Sequence, residues 1–596
     1  MSNRSELKAK TPMNIQRHYS LAVLALAATM AFGQNPKISK DLQGPFGAAP
    51  IDVIVQFTQP PTSRHHQLVL NHGGVLKDDL SVAKAAHYSI SADALADLAN
   101  EPDVVYVTPD RAVKSLLDYA NPAVNANVAR SYGFDGSGVG IALVDSGVAM
   151  AQTISLGTLD LNTQVSSGVT IPKTRVVYSE NFTTDLSAVD GHGHGTHVAG
   201  ILAGNGYASV GSLYTHSFIG IAPGATVINL KVLDHNGNGT DSTVIAGIQR
   251  AIALKSKYNI RVLNLSLGRP VYETYSKDPL CLAVEQAWQA GIVVVVAAGN
   301  DGRDNSMGTS GYGTIMAPGN DPFAITVGAM KDMRTLTRTD DLIASYSSKG
   351  PTQVDHIVKP DLVAPGNRVI SLMSPASLLL GASNSANLIP TSYYQVLGSP
   401  LNSINYLSLS GTSMAAPMVS GAAALLLQQS PTLNPDQVKA RLMKTATKAF
   451  PASSVAIDPT TGISYTSQYD IFTVGAGYLD VWAALNNTDL ASGSALSPKA
   501  VYNAATKQVT VINTVSGTTS VWGSSSVWGS SAVWGSSVWV AGSSSVWGSS
   551  SVWGSSSVWG SSTTTAFSSV WGSSAIWGSS TQDASESVAL LVNGEN

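Results

Sequence analysis

Residues 139–145 read VGIALVD, an apolar run that ends in one aspartate, Asp145. A strand with one wet face alternates apolar and polar residues. An unbroken run marks a strand buried on both faces, as in the middle of a parallel sheet. Three further runs follow: ATVINLKVL (225–233), IRVLNLSLG (260–268) and IVVVVAAGN (292–300), each separated from the next by a helical stretch. Alternation of such runs with helices predicts an α/β domain built on a central parallel sheet. In sheets of this kind ligands gather beyond the carboxyl ends of the strands. The polar residues found there, Asp145, Ser266 and Asn300, are therefore the first functional candidates.

Two Gly-rich helix starts add to them. DGHGHGTHVAGILAG (190–204) carries His192, His194 and His197. Closely spaced histidines can bind zinc, but there is no HExxH and no carboxylate follows at helical spacing, so no metal site is expected. SGTSMAAPMVSG (410–421) places Ser413 ahead of an apolar helix. Gly, Thr and Ser suit an N-cap for purely local reasons. The same position would also hold a nucleophile where exposed N–H groups favour negative charge. A serine hydroxyl needs a base to take its proton, and imidazole serves. A buried carboxylate fixes the imidazole tautomer, and an amide with a backbone N–H can hold the oxyanion.

Taken together, these stretches resemble the subtilisin-like serine proteases, the subtilases of peptidase family S8. VDSGV around Asp145, HGTHVAG from His194, AAGN ending at Asn300 and SGTSMAAPMVSG around Ser413 occur in the family order, with SYSSKGP and KPDLVAPG in support. The resemblance covers most of residues 125–490 and implies a secreted endopeptidase acting through an acyl-enzyme. It assigns Asp145, His194 and Ser413 to the triad and Asn300 to the oxyanion hole. It gives SLG (Ser266, Leu267, Gly268) and GNG (Gly237, Asn238, Gly239) to the two edges between which an extended substrate adds as a strand. His197 is implied to be structural, and His192 to lie at the surface or a pocket rim. Arg269 and Pro270 stand where a further small residue is common. Catalysis is implied to need no cofactor. Structural calcium is common in the family, though no Asp-rich loop compels it here.

The rest of the chain fits around this unit. Residues 50–115 alternate as β-α-β-β-α-β, which predicts a ferredoxin-like domain. Two readings stand: an I9-like inhibitory propeptide, implied by the resemblance and ending in VVYVTPDRAV, or a permanent accessory domain. The cleavage junction is expected within VKSLLDYAN (113–121), and Ser91 or Asp93 is expected to cap the second helix. Arg4, Lys8, Lys10 and Arg17 precede LAVLALAATMAF, Leu21–Phe32. That pattern predicts an export signal over residues 1–33, the run being shorter than the roughly 20 residues that span a bilayer. A buried helix or an anchor is the alternative. Segment 370–405 reads as an insertion before the serine motif.

Residues 515–580 repeat SVWGSS, with nine of the eleven tryptophans between Trp522 and Trp577. This low-complexity tail allows a flexible linker, a self-associating β layer or a Trp platform for cell-surface carbohydrate. In the last two cases the chain could serve mainly as an adhesion or assembly protein. The single Cys281 lies in an apolar helical pattern and is expected in the core. With 12% charged residues and a net charge of −4, nucleic-acid binding has no electrostatic basis. The expected partners are protein or peptide substrates and the chain's own propeptide.

Overall fold

The computed structural model describes residues 35–39, 42, 50–110, 112–115, 122–149, 159–162, 173–210, 213–306, 308–335, 338–375, 377, 387–400, 402–458, 461–503, 508–512, 514–515, 518–519 and 595. The apolar run Leu21–Phe32, residues 116–121 of the expected junction and the repeats from Trp522 onward lie outside the described residues.

IDVIVQF forms β1 (Ile51–Phe57). Its period of two sends Val53, Val55 and Phe57 into a small core with Val69, Leu98 and Val107. Ile54, on the opposite face, joins the main core of the molecule. With β2 (Val75–Leu80), β3 (Ala85–Ile90) and β4 (Val104–Pro109) it makes a sheet in the order β2-β3-β1-β4, antiparallel throughout. The crossing helices are α1 (Ser63–Asn71) and α2 (Leu95–Asn100), so the topology is ferredoxin-like. The second helix starts later than expected. A short turn over Ala92–Ala94 precedes it, and Ala94 N–H bonds back to Ser91 C=O at 3.1 Å. With that donor satisfied by backbone, neither Ser91 nor Asp93 acts as a side-chain cap.

The four apolar runs become β6 (Gly140–Asp145), β8 (Thr226–Lys231), β10 (Ile260–Leu265) and β12 (Val293–Ala297). They are joined by β7 (Val176–Asn181), β13 (Ile325–Lys331), β14 (Leu342–Ile343) and β15 (Leu362–Pro365) in one eight-stranded sheet. All its pairings are parallel except β13 with β14. Every residue of β6 is buried. Helices α3 (His194–Ala203), α4 (Asp241–Tyr258), α5 (Pro279–Gln289) and α6 (Thr412–Gln429) cover the sheet. α6 is buried on all sides from Thr412 to Leu427, which is why its sequence is apolar and small without a polar stripe. Cys281 lies in α5 as expected, its thiol donating to Asn320 Oδ1 at 3.3 Å.

Two small sheets flank this body. Segment 370–405 contributes to a three-stranded antiparallel sheet of β16 (Val369–Leu372), β17 (Leu388–Pro390) and β18 (Asn402–Leu409). In the other, the chain's own β5 (Ala112–Ser115) lies between β9 (Asn238–Thr240) and β11 (Leu267–Gly268), antiparallel to both.

Candidate active site

Three chain segments converge at the carboxyl edge of the large sheet. Asp145 ends β6, His194 opens α3 and Ser413 is the second residue of α6; all three are fully buried. Asp145 Oδ1 forms a short hydrogen bond with His194 Nδ1 and also accepts from Ser146 N–H at 2.7 Å. Gly195 follows His194 because a Cβ there would fall 2.1 Å from the carbonyl oxygen of Gly147. Only glycine lets the helix start approach the end of β6 so closely.

The first turn of α3 is fixed by a residue to which the sequence reading gave no role. Buried Asp190 accepts from Gly193 N–H, Thr196 N–H, Thr196 Oγ1 and Ser146 Oγ at 2.6–2.9 Å. It satisfies helix-start donors and places a carboxylate at the positive end of the helix. Burial pushes its pKa upward against those four bonds. Beside it, fully buried Lys231 reaches Ser146 O (2.8 Å), Val189 O (3.1 Å) and Asp185 (3.0 Å).

Ser413 is held by a polar relay. Pro417 stands four residues on and has no N–H, so the Ser413 carbonyl lacks its helical donor. Ser266 Oγ supplies the bond at 2.6 Å. Ser266 is in turn oriented by Asn264 Nδ2 (2.9 Å), and Asn264 Oδ1 accepts from Ser420 Oγ (2.8 Å). The Ser413 hydroxyl donates to Ser266 C=O at 3.1 Å. Gly411, at φ 152°, makes the turn into α6. Asn300 lies three residues past β12. Its Oδ1 accepts from Thr412 N–H (2.9 Å) and Thr412 Oγ1 (3.1 Å), so its Nδ2 is the end left to donate.

The other predicted residues lie on or next to the two strands that flank β5. Leu267 pairs with Ser115 and Gly268 with Lys114; on the far side Asn238 pairs with Lys114 and Gly239 with Val113. Gly237 lies just before that edge, and a Cβ there would meet His192 Nε2 at 2.8 Å. The His192 ring is centred 6.2 Å from that of His194. Burial, with the charge of His194, lowers its pKa to about 3. His197 is fully buried and bridges the sheet of β16 and β18, its Nε2 donating to Val369 C=O (3.2 Å) and Leu407 C=O (3.3 Å). No group of three His, Cys, Asp or Glu suited to a metal occurs among the described residues.

Arg269, which stands where a further small residue is common, is turned into the interior. It is 1% exposed, and Asp241 and Asp278 hold its guanidinium at 2.7–2.9 Å. These are the first residue of α4 and the N-cap of α5, so one cation ties together two helix starts. The N-terminal domain docks there. Asp110 accepts from Ser242 N–H (2.7 Å) and Ser242 Oγ (2.5 Å), while buried Glu273 receives Ser39 Oγ and Thr108 Oγ1, both at 3.1 Å. These contacts join residues more than a hundred positions apart, and no local pattern announced them.

Residues 136–458 match the Subtilase family, Peptidase_S8. Serine protease AprX of Bacillus subtilis (strain 168) is 36% identical over 384 residues, 62% of this chain and 76% of that one. Subtilisin E of the same organism is 31% identical over 434 residues, 72% and 92% of the two chains. Among solved structures, fervidolysin from Fervidobacterium pennivorans, described as a keratinolytic enzyme related to subtilisin, superposes with a TM-score of 0.52. It shares 21% identity, covering 76% of this chain and 63% of its own, a likeness of fold. The family match and the relatives agree on one conclusion: the chain belongs to the subtilase family of serine proteases.

Proposed function

We propose that this chain is the precursor of an exported endopeptidase that cuts itself free of its N-terminal domain. Ser413 is the nucleophile, His194 the general base and Asp145 the group that orients the imidazole. Asn300 Nδ2 and the Ser413 N–H receive the oxyanion. The observation that carries the reading is β5: residues 112–115 of the chain lie paired on both sides in the cleft that leads to Ser413. An extended peptide held by two edges is the pose a protease imposes on its substrate.

In the reaction His194 takes the Ser413 proton as the hydroxyl attacks the scissile carbonyl. It then returns that proton to the leaving amine, and water repeats the sequence on the acyl-enzyme. The Ser413 hydroxyl rests on Ser266 C=O. A substrate N–H that pairs with this carbonyl competes for the acceptor and frees the hydroxyl toward His194. The N-terminal domain is the inhibitor of the uncut chain, its last residues filling the cleft and Asp110 capping α4. None of these steps calls on a cofactor.

Intact mass of the wild-type chain and of Ser413→Ala, expressed alike, tests the proposal. Loss of the first hundred-odd residues in the wild type alone is the expected result. Equal trimming of both chains would assign the cut to another protease and overturn self-processing. A wild type that stays whole and leaves an added unstructured protein intact would overturn the endopeptidase reading.

A further inference from the structure

Glu595 lies far from the catalytic domain in sequence, yet it is 2% exposed and enclosed by it. Its Oε2 accepts from Ser345 N–H (2.7 Å) and Ser345 Oγ (2.9 Å) and lies 3.4 Å from Arg303 NH2; its Oε1 meets Lys331 Nζ at 3.2 Å. The backbone is read as well. Asn367 Nδ2 donates to Glu595 C=O at 2.8 Å, and Glu595 N–H donates to Asn367 Oδ1 at 2.9 Å. One amide side chain thus pairs with both backbone groups of one residue, as a neighbouring strand would.

The pocket is built for an anion. The Arg303 and Lys331 side chains are 9% and 6% exposed, and cations so far removed from water need a partner. Arg303 is oriented by Ser345 Oγ (2.7 Å to Nε) and by Asp458 (3.1 Å). The four lining residues come from four places: the loop after Asn300, the end of β13, the segment after β14 and the turn before β16.

We propose that this pocket is a carboxylate docking site on the catalytic domain and that its occupant is the chain's own segment around Glu595, bound in cis. Residue 595 is thereby held on the catalytic domain. The site also braces the serine motif from behind. Ser345 precedes Tyr346, whose hydroxyl donates to Gly366 C=O (2.6 Å); the same carbonyl accepts from Gly411 N–H (2.9 Å), and Asn367 follows Gly366. Glu595 therefore clamps the two segments that hold the turn into α6. The assignment is independent of the protease chemistry, because both its evidence and its readouts are structural.

The experiment uses the full chain carrying Ser413→Ala, so that self-cleavage does not intervene. Hydrogen exchange of peptides covering residues 341–349 and 588–596 is followed together with the thermal midpoint. Glu595→Arg is expected to speed exchange in both peptides tenfold or more and to lower the midpoint by about 3–5 °C. Lys331→Glu is expected to do the same. Combining Lys331→Glu with Glu595→Lys is expected to restore at least half of the protection, which a merely disruptive substitution would not. Unchanged exchange and midpoint in Glu595→Arg would overturn the site. Protection that falls on dilution would place the segment on a second copy and overturn binding in cis.

Discussion

At the scale of single residues, the buried charges off the active site reveal most about this chain. Arg175 is 6% exposed, and its guanidinium donates to four backbone carbonyls: Asp160 (2.7 Å), Asn162 (3.3 Å), Ala203 (2.5 Å) and Ala225 (2.9 Å). Converging carbonyls are a cation's coordination shell, and here a side chain fills it. Burial lowers the Arg175 pKa to about 10, and neighbouring Asp160 offsets part of that. The planar fork reaches carbonyls that lie in several directions, which a lysine cannot do. Arg175→Ala should therefore lose about 3–5 kcal/mol of unfolding free energy, the cost of leaving buried groups without their charge partner. Arg175→Lys should recover less than half of it. Denaturant titration of the three chains checks this, and a loss in Arg175→Ala below about 1 kcal/mol would mean that water replaces the guanidinium. Nothing in the sequence around Arg175, in KTRVVYS, sets it apart from a surface arginine at a strand start.

Elements were easier to read than residues, because an element's pattern is local. The unbroken runs announced the buried parallel strands, and the alternation in IDVIVQF announced a strand with two different faces. Both follow from the period-two geometry of a strand. The candidate site residues could be placed for a related reason: Asp145 lies where an apolar run ends, and His194 and Ser413 lie where Gly-rich stretches open helices. What a strand pairs with is a longer-range matter, and β5 is the clearest case: nothing in AVKS says that it lies between β9 and β11. The pairing nevertheless has a consequence that chain order makes definite. Leu267 pairs with Ser115 and Gly268 with Lys114 in an antiparallel ladder, and a substrate bound in that register sets its next residue against Ser266. Ser266 C=O is the group on which the Ser413 hydroxyl rests. If the self-processing proposed above keeps this register, the expected cut follows Leu116 and leaves Leu117 as the new N-terminus. N-terminal sequencing of the matured chain decides it. A terminus one residue away would mean that the ladder slips before cleavage, while the self-cutting mechanism would stand. On that proposal Leu116→Asp should slow maturation tenfold or more while leaving the mature enzyme unchanged, since the cut removes residue 116 with the N-terminal domain.

At the scale of the whole molecule, the low charge content hides an unusual interior. Only 12% of the residues are charged, yet Lys231, Arg269, Lys359 and Lys439 are all 1% exposed or less and each is held by a carboxylate or carbonyl from another segment. Composition could not reveal this, since it counts charges without saying which are inside. Such groups make folding stability depend on pH, and His197 offers the cleanest test. Burial, first, and the charge of His194 lower its pKa to about 3, although its bonds to the Leu407 and Val369 carbonyls favour the proton. In the unfolded chain a histidine titrates near about 6.5. Between these values the unfolded state binds a proton that the folded state refuses. The contribution of His197 is thus complete above about 6.5 and is lost as pH falls toward 3. His197→Gln keeps a donor for the two carbonyls but does not titrate. At pH 7 the wild type should be the more stable chain by about 1–3 kcal/mol. Below about pH 6 that gap should narrow by about 1.4 kcal/mol per pH unit and then reverse. Urea unfolding of the two chains at pH 7, 6, 5 and 4, both carrying Ser413→Ala to prevent autolysis, measures the gap directly. A gap that does not change with pH would mean that His197 accepts a proton inside the folded protein, with the helix start that carries His194 able to open and admit water.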